Sequence, residues 1–199
     1  MARTAEAIID AAAELLRDAK FGLEDMKTRP GRAKTGLRNA VVFGRNTTWA
    51  LQNLKNIAPD FEAWYAEKQA EMRADPLMRY FGALRNAIEK QANTPTATAV
   101  HIQRLSMATD MRRFQPAPPN AKALVIGDQQ GGTAWIVPMP DGSEEKYYVE
   151  LPPDIGEVSL HLPEAPRLPS GSSKAEDLVA AYLDKIEALV AEARRKFAA

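Results

Sequence analysis

The sequence predicts an α+β fold in which an N-terminal helical bundle is followed by a small antiparallel β module and a C-terminal helix that packs back on the bundle. Three observations predict it. Apolar residues recur at three- and four-residue spacing up to about residue 92. Beyond Pro95 they fall into short runs of β type, broken by Pro, Gly, Asn and Asp. From Lys174 the helical period returns. The implied divisions are residues 1–95, 96–165 and 174–199.

Element by element, Thr4 is placed to N-cap a first helix carrying Ile8, Ala12, Leu15 and Ala19 on one face, with Gly22 expected to stop it. After the basic linker KTRPGRAKTG, a long helix is expected from about Leu37 to Ile57, burying Phe43, Ala50, Leu51, Leu54 and Ile57. Pro59 and Asp60 break that run and open another with Phe61, Trp64, Tyr65 and Met72 on a shared face. Asp75 then caps a helix whose first position is Pro76, where a missing N–H costs nothing; Leu77, Phe81, Leu84 and Ile88 are in register, and the helix ends near Asn93 and Pro95.

The runs TATAVHIQRLSM, KALVIG, TAWIVPM, KYYVEL and EVSLHL follow as strand candidates. Asp141-Gly142 between two of them predicts a hairpin pairing Thr133–Met139 with Glu144–Leu151. Pro138 and the pair Pro152-Pro153 place strand ends or an edge, since proline cannot donate to a ladder. The last helix is expected from Lys174 to Phe197, with a stripe of Leu178, Tyr182, Ile186, Leu189, Ala193 and Phe197. A stripe so apolar must be covered by the bundle or by a partner.

Composition bounds the function. In 199 residues, 45% hydrophobic and 26% charged, there is material for one sizeable core or two small ones. The 26 basic and 26 acidic residues cancel, so no whole-chain field draws the protein to nucleic acid or membrane, and any such partner needs a local patch. Without cysteine there is no disulfide framework and no thiolate zinc site; only His101 and His161 could offer imidazole. Neither a metal nor a cofactor is expected. The N-terminal MARTAEAIIDAAAELL lacks a secretory pattern, and no apolar run reaches the about 18 residues of a membrane span, so a microbial cytoplasm is the expected compartment.

Charge is unequal along the chain. Between Met26 and Pro59 lie Lys27, Arg29, Arg32, Lys34, Arg38, Arg45 and Lys55, with no acidic residue. One reading is a nucleic-acid contact in which Arg38 and Arg45 share a helix face and the stretch from Lys27 to Lys34 forms an arm. The other is a solvated face neutralised by acids from Asp60 onward. Elsewhere GDQQGG, from Gly127 to Gly132, lacks the lysine of a phosphate loop and precedes a strand-like run, so a hairpin turn is the expectation. His101 and His161 read as solvated strand residues, and Asp141, Glu144 and Glu145 as a solvated hairpin tip. Trp49, Trp64 and Tyr65 read as core or seam aromatics.

The helix DPLMRYFGALRNAIEKQ, with Arg85-Asn86 late after an aromatic-apolar run, resembles the HEPN family, and LRNAVVFGRNTTWALQNL resembles its partner helix. The resemblance implies an all-helical bundle that pairs as a homodimer and, in active members, cleaves RNA without metal through this arginine and a histidine four to six residues on. Lys90, Gln91 and Ala92 stand where that histidine falls, so the acid-base group is absent, and Glu89 is one turn from Arg85. The expectation is therefore a non-catalytic interaction or accessory protein acting as a homodimer. The alternative is a ribonuclease or nucleotide-handling enzyme using Arg85 and Asn86 with an acid-base group from elsewhere, such as His101.

Overall fold

The computed structural model describes residues 4–198; the sequence-based boundaries at residues 1 and 199 lie outside them. Its elements run α1 (Ala5–Thr28), α2 (Ala33–Leu51), α3 (Phe61–Ala74), α4 (Pro76–Gln91), β1 (Ala97–Ile102), β2 (Ala123–Ile126), β3 (Thr133–Pro138), β4 (Glu144–Val149), β5 (Gly156–His161) and α5 (Ala175–Phe197). The α+β arrangement expected from the changes of period is present.

Thr4 caps α1, its hydroxyl accepting from the Ala7 N–H at 3.2 Å. Gly22 does not stop the helix, which continues to Thr28. Its role is contact: a Cβ there would lie 2.6 Å from both the Gly36 carbonyl oxygen and the Ala40 nitrogen of α2. One at Gly36 would lie 2.3 Å from the Gly22 carbonyl oxygen. The two helices thus meet backbone to backbone along a seam of small residues, with Ala12 and Ala19 also buried on α1.

The turn between them is shorter than the sequence suggests, because α2 begins at Ala33, inside the basic linker. Its buried face also differs from the expected stripe. Leu37, Ala40, Val41, Gly44, Thr47, Thr48 and Leu51 are buried, whereas Phe43 and Ala50 are only partly so. The chain then tightens into a 3₁₀ turn from Gln52 to Asn56, which leaves Ile57 exposed. Tyr65 and Gln52 hold that transition: both donate to the Thr48 carbonyl, at 3.1 and 3.4 Å.

The cap of α4 is as the sequence predicts, Asp75 Oδ1 accepting from the N–H groups of Leu77 and Met78, with Pro76 in the first turn. Helix α5 packs on α1, α2 and α4, burying Leu178, Tyr182, Ile186, Leu189 and Ala193. Polar ties reinforce it at its rims: Arg194 to Asp10 at 2.6 Å, Lys20 to Glu187 at 2.6 Å, and the Trp64 indole N–H to Glu192 at 2.8 Å. The main core spans all five helices and takes in Leu160 and Leu162 from the end of β5.

The β module is two small antiparallel sheets. One pairs β1 with β5, Ala97 opposite His161; the other is the meander β2-β3-β4, with Thr133 opposite Val149 and Pro138 opposite Glu144. The hairpin turns at Asp141-Gly142, where Gly142 has φ +85° and Asp141 accepts from the Ser143 N–H at 2.9 Å. Pro138 marks a strand end, since β3 is the central strand of its sheet. A minor core of Phe114, Val149 and Ile155 serves this region.

The GDQQGG segment is the turn between β2 and β3, and it fastens the module to the helices. Its Asp128 is buried and accepts from the N–H groups of Gln130 and Gly132, from Lys146 at 2.7 Å and from the Tyr148 hydroxyl at 2.7 Å. Burial alone would raise the carboxyl, but these partners hold it below the ordinary carboxylate range. Outward, the Asp128 carbonyl accepts from Thr98 of β1, and the Gln130 carbonyl from the Lys34 N–H at the start of α2. Gly131 and Gly132 approach Ala33 and Gly31 so closely that added Cβ atoms would collide.

Candidate anion-binding cleft

Four helix faces converge on one opening of about 300 Å³. Helical spacing explains each contribution. Arg45 and Thr48 are one turn apart on α2, as are Gln69 and Arg73 on α3; Arg79, Gly82, Arg85 and Asn86 share a face of α4, and Tyr182 and Ile186 a face of α5. On α4 this face adjoins the buried one that carries Leu77, Phe81 and Leu84, so the arginines rim a depression whose floor is apolar.

The rim carries four guanidinium groups, and among the described residues no carboxylate lines the cleft. Arg85 is the best anchored. It pairs with Glu89 at 2.6 Å, donates to Asn86 Oδ1 at 3.0 Å, and sits with its guanidinium carbon 4.3 Å from the centroid of the Trp49 ring. Its Nε is buried without a hydrogen-bond partner among the described residues. Arg45 donates to the Thr48 hydroxyl at 2.9 Å and lies 5.2 Å from the same indole. Arg73 and Arg79 are exposed and make no ion pair among the described residues.

Tyr182 supplies the floor. Its ring stacks on Phe81 with centroids 4.4 Å apart, and Gly44 admits it against α2, since a Cβ there would be 2.7 Å from the ring. Burial pushes its phenol well above the ordinary tyrosine range, against the opposing charge of Arg45. It therefore remains an O–H donor at neutral pH, and among the described residues that donor has no hydrogen-bond partner.

The residues singled out in the sequence are distributed over three places. Arg85, Asn86 and Arg45 come together in this cleft. Arg38 faces the end of α4, donating to the Thr94 hydroxyl at 2.7 Å and the Ala92 carbonyl at 3.2 Å. Arg29 and Arg32 share Asp25, at 3.1 and 2.9 Å, so the acid nearest them precedes the basic segment rather than following it from Asp60. Lys27 and Arg29 border a groove between the α1–α2 turn and the two sheets, where Glu150 and Glu157 also lie. Lys34 adjoins the GDQQGG turn.

Neither histidine reaches the arginines. His101 is exposed on β1 opposite Glu157, and His161 lies between the Ser159 and Ser173 hydroxyls, at 2.9 and 3.3 Å. Among the described residues no cluster of three or more His, Asp or Glu could hold a metal. No helix there is long and apolar enough to cross a membrane.

Sequence reasoning missed Arg73, Arg79 and Tyr182. Counting charge in a contiguous window favours Lys27–Arg45, whereas the cleft draws on three helices for its arginines. The usable signal was local: Arg79 and Arg85 sit six apart on α4, next to its apolar stripe. Trp49 is also corrected, being 43% exposed and covered by arginines rather than lying in the core.

With this geometry in hand, comparison places the chain near a different family from the one its fourth helix suggests. Residues 21–117 match the family described as bacteriophage lambda protein ea47. The chain is similar to that family over just under half its length. The HEPN resemblance is thereby corrected: the helices that carried it, α2 and α4, fall inside the matched segment, and nothing specific to HEPN proteins is found there. Arg85 accordingly has local partners, Glu89 and Trp49, in place of a histidine. All four cleft arginines lie within the matched segment; Tyr182 lies outside it. No curated protein and no solved structure matches.

Proposed function

We propose that the protein is a non-catalytic accessory protein, acting as a homodimer, that engages an anionic partner through Arg45, Arg73, Arg79 and Arg85. The observation that carries this reading is four arginines around one cleft with no lining carboxylate among the described residues. Clustered guanidinium groups repel one another, and an anion accepting their paired N–H donors relieves that repulsion. Among the described residues the lining holds no histidine or carboxylate to carry a proton, which favours binding over catalysis. For the homodimer, support comes from Val100, Ile102, Leu105 and Met107, exposed apolar residues on β1 and the segment after it.

The test is calorimetric titration of the purified protein with phosphate and pyrophosphate at low salt. Saturable binding that Arg73→Ala/Arg79→Ala weakens at least about tenfold is expected; binding unchanged in that variant overturns the reading. Sedimentation should give twice the chain mass, and a monomer at all concentrations removes the homodimer. RNA cleavage by the parent, lost in a folded Arg85→Ala variant, would replace binding with the ribonuclease alternative.

A further inference from the structure

We infer that the anion this cleft takes is the phosphate of a nucleoside monophosphate unit, with the base seated on the apolar floor between Met72, Met78 and Tyr182. The inference rests on the anion-binding reading above and narrows it to one ligand chemistry.

The cleft has more than an inorganic anion would use. Phosphate alone asks for cations and N–H donors, which Arg73, Arg79 and Arg45 supply. It makes no demand on an apolar floor, yet half-buried Met72 and Met78 line the opening together with Phe81, Ile186 and Tyr182. Methionine side chains adapt to a flat face, and guanidinium planes stack on bases as well as pairing with phosphate. Two side-chain amides stand on the rim. Gln69 makes no hydrogen bond among the described residues, and Asn86 uses only its oxygen, to Arg85. Amides offer a donor and an acceptor side by side, the pattern that matches a base edge. The Tyr182 hydroxyl, on an otherwise buried ring that lines the cleft, has no hydrogen-bond partner among the described residues and is a further donor for the ligand.

Size agrees. A cleft of about 300 Å³ is at the lower end for small-molecule sites, which suits one nucleotide unit and excludes an extended polymer tract. That unit could be a free nucleotide or the phosphorylated end of a strand, which share the same groups.

The experiment is a set of titrations of the whole protein with AMP, CMP, ribose 5-phosphate, inorganic phosphate and a 5′-phosphorylated trinucleotide, followed by calorimetry. At least one nucleoside monophosphate should bind about tenfold or more tighter than ribose 5-phosphate. Gln69→Ala should erase most of that advantage while leaving phosphate affinity unchanged. Tyr182→Phe, which keeps the stacked ring, should weaken every phosphate ligand several-fold. Circular dichroism of both variants should match the parent. Ribose 5-phosphate or phosphate binding as tightly as AMP and CMP would overturn the nucleotide assignment and leave the anion cleft standing. No binding by any of the five would overturn both. A trinucleotide that outbinds the mononucleotides sustains the inference and assigns a strand end; the reverse order sustains it and assigns the free nucleotide.

Discussion

Arg85 is stacked on Trp49, its guanidinium carbon 4.3 Å from the ring centroid, while one of its terminal nitrogens pairs with Glu89 at 2.6 Å. The arginine is only 13% exposed, so it is held in place before any ligand arrives. Trp49→Ala should lower stability by about 0.5–2 kcal/mol, read by urea denaturation, the range for a cation-aromatic pair between exposed and buried limits. It should also weaken phosphate binding by loosening both Arg45 and Arg85. A variant equal to the parent in both measurements would show that the indole does not position them.

The small-residue seam makes opposite predictions for two glycines. Gly36→Ala puts a Cβ 2.3 Å from the Gly22 carbonyl, backbone that cannot step aside, and should cost about 1–3 kcal/mol or more. Gly82→Ala, in α4 with no atom within 4 Å of its added Cβ, should stabilise by about 0.5–1 kcal/mol. Thermal unfolding of the pair decides; equal shifts would mean that helix propensity, not the α1–α2 approach, governs both sites.

Asp128 links pH to the joint between the β module and the helices. Its folded carboxyl is held below its unfolded value, so its contribution is present above about pH 4 and is lost as pH falls through the folded value. Asp128→Asn should cost about 1.5–3 kcal/mol near neutrality and flatten the acid limb of the stability profile. The Tyr148 phenol, pushed up by burial and by Asp128, stays a donor across that range. An acid limb unchanged in Asp128→Asn would place the titration elsewhere.

The basic segment has its own test. If it contacts nucleic acid, Arg38→Ala/Arg45→Ala weakens RNA or DNA association and reduces its salt dependence. Part of any loss will be structural, because Arg38 holds the end of α4 through Thr94 and Ala92. Lys27→Ala, which removes a groove-side charge, separates the two contributions. Absence of nucleic-acid affinity in the parent at low salt ends this reading outright.

Helix and strand periods were legible because each buried face is fixed by local spacing: the Asp75-Pro76 start of α4, the Asp141-Gly142 turn and the stripe of α5 all follow from that. Gly22 was misread because propensity reports a glycine's cost to its own helix, not the close approach of a second one. Leu37 and Val41 were passed over for Phe43 because the seam selects small neighbours, which rotates the buried face of α2. The cleft was half legible. Arg85, Asn86 and Arg45 stood out, but their convergence with Arg73, Arg79 and Tyr182 depends on how four helices cross, which no spacing within one helix encodes.

The placement of α5 has a consequence for the order in which the chain can become a protein. Asp10 and Arg194 meet across 184 positions, and the groove between α1 and α2 is filled by residues translated after the whole β module. While the ribosome is still at work, α1 and α2 can zip together locally, but the Gly44 side of α2 and the floor of the cleft lack Tyr182 and Leu183 until α5 emerges. Closing so long a loop adds little to the equilibrium cost, since that cost grows only with the logarithm of length. It does set the tempo, because distant contacts form slowly. The nascent chain therefore carries a sticky, incomplete site while the β module is being made, and Tyr182 joins it only afterwards.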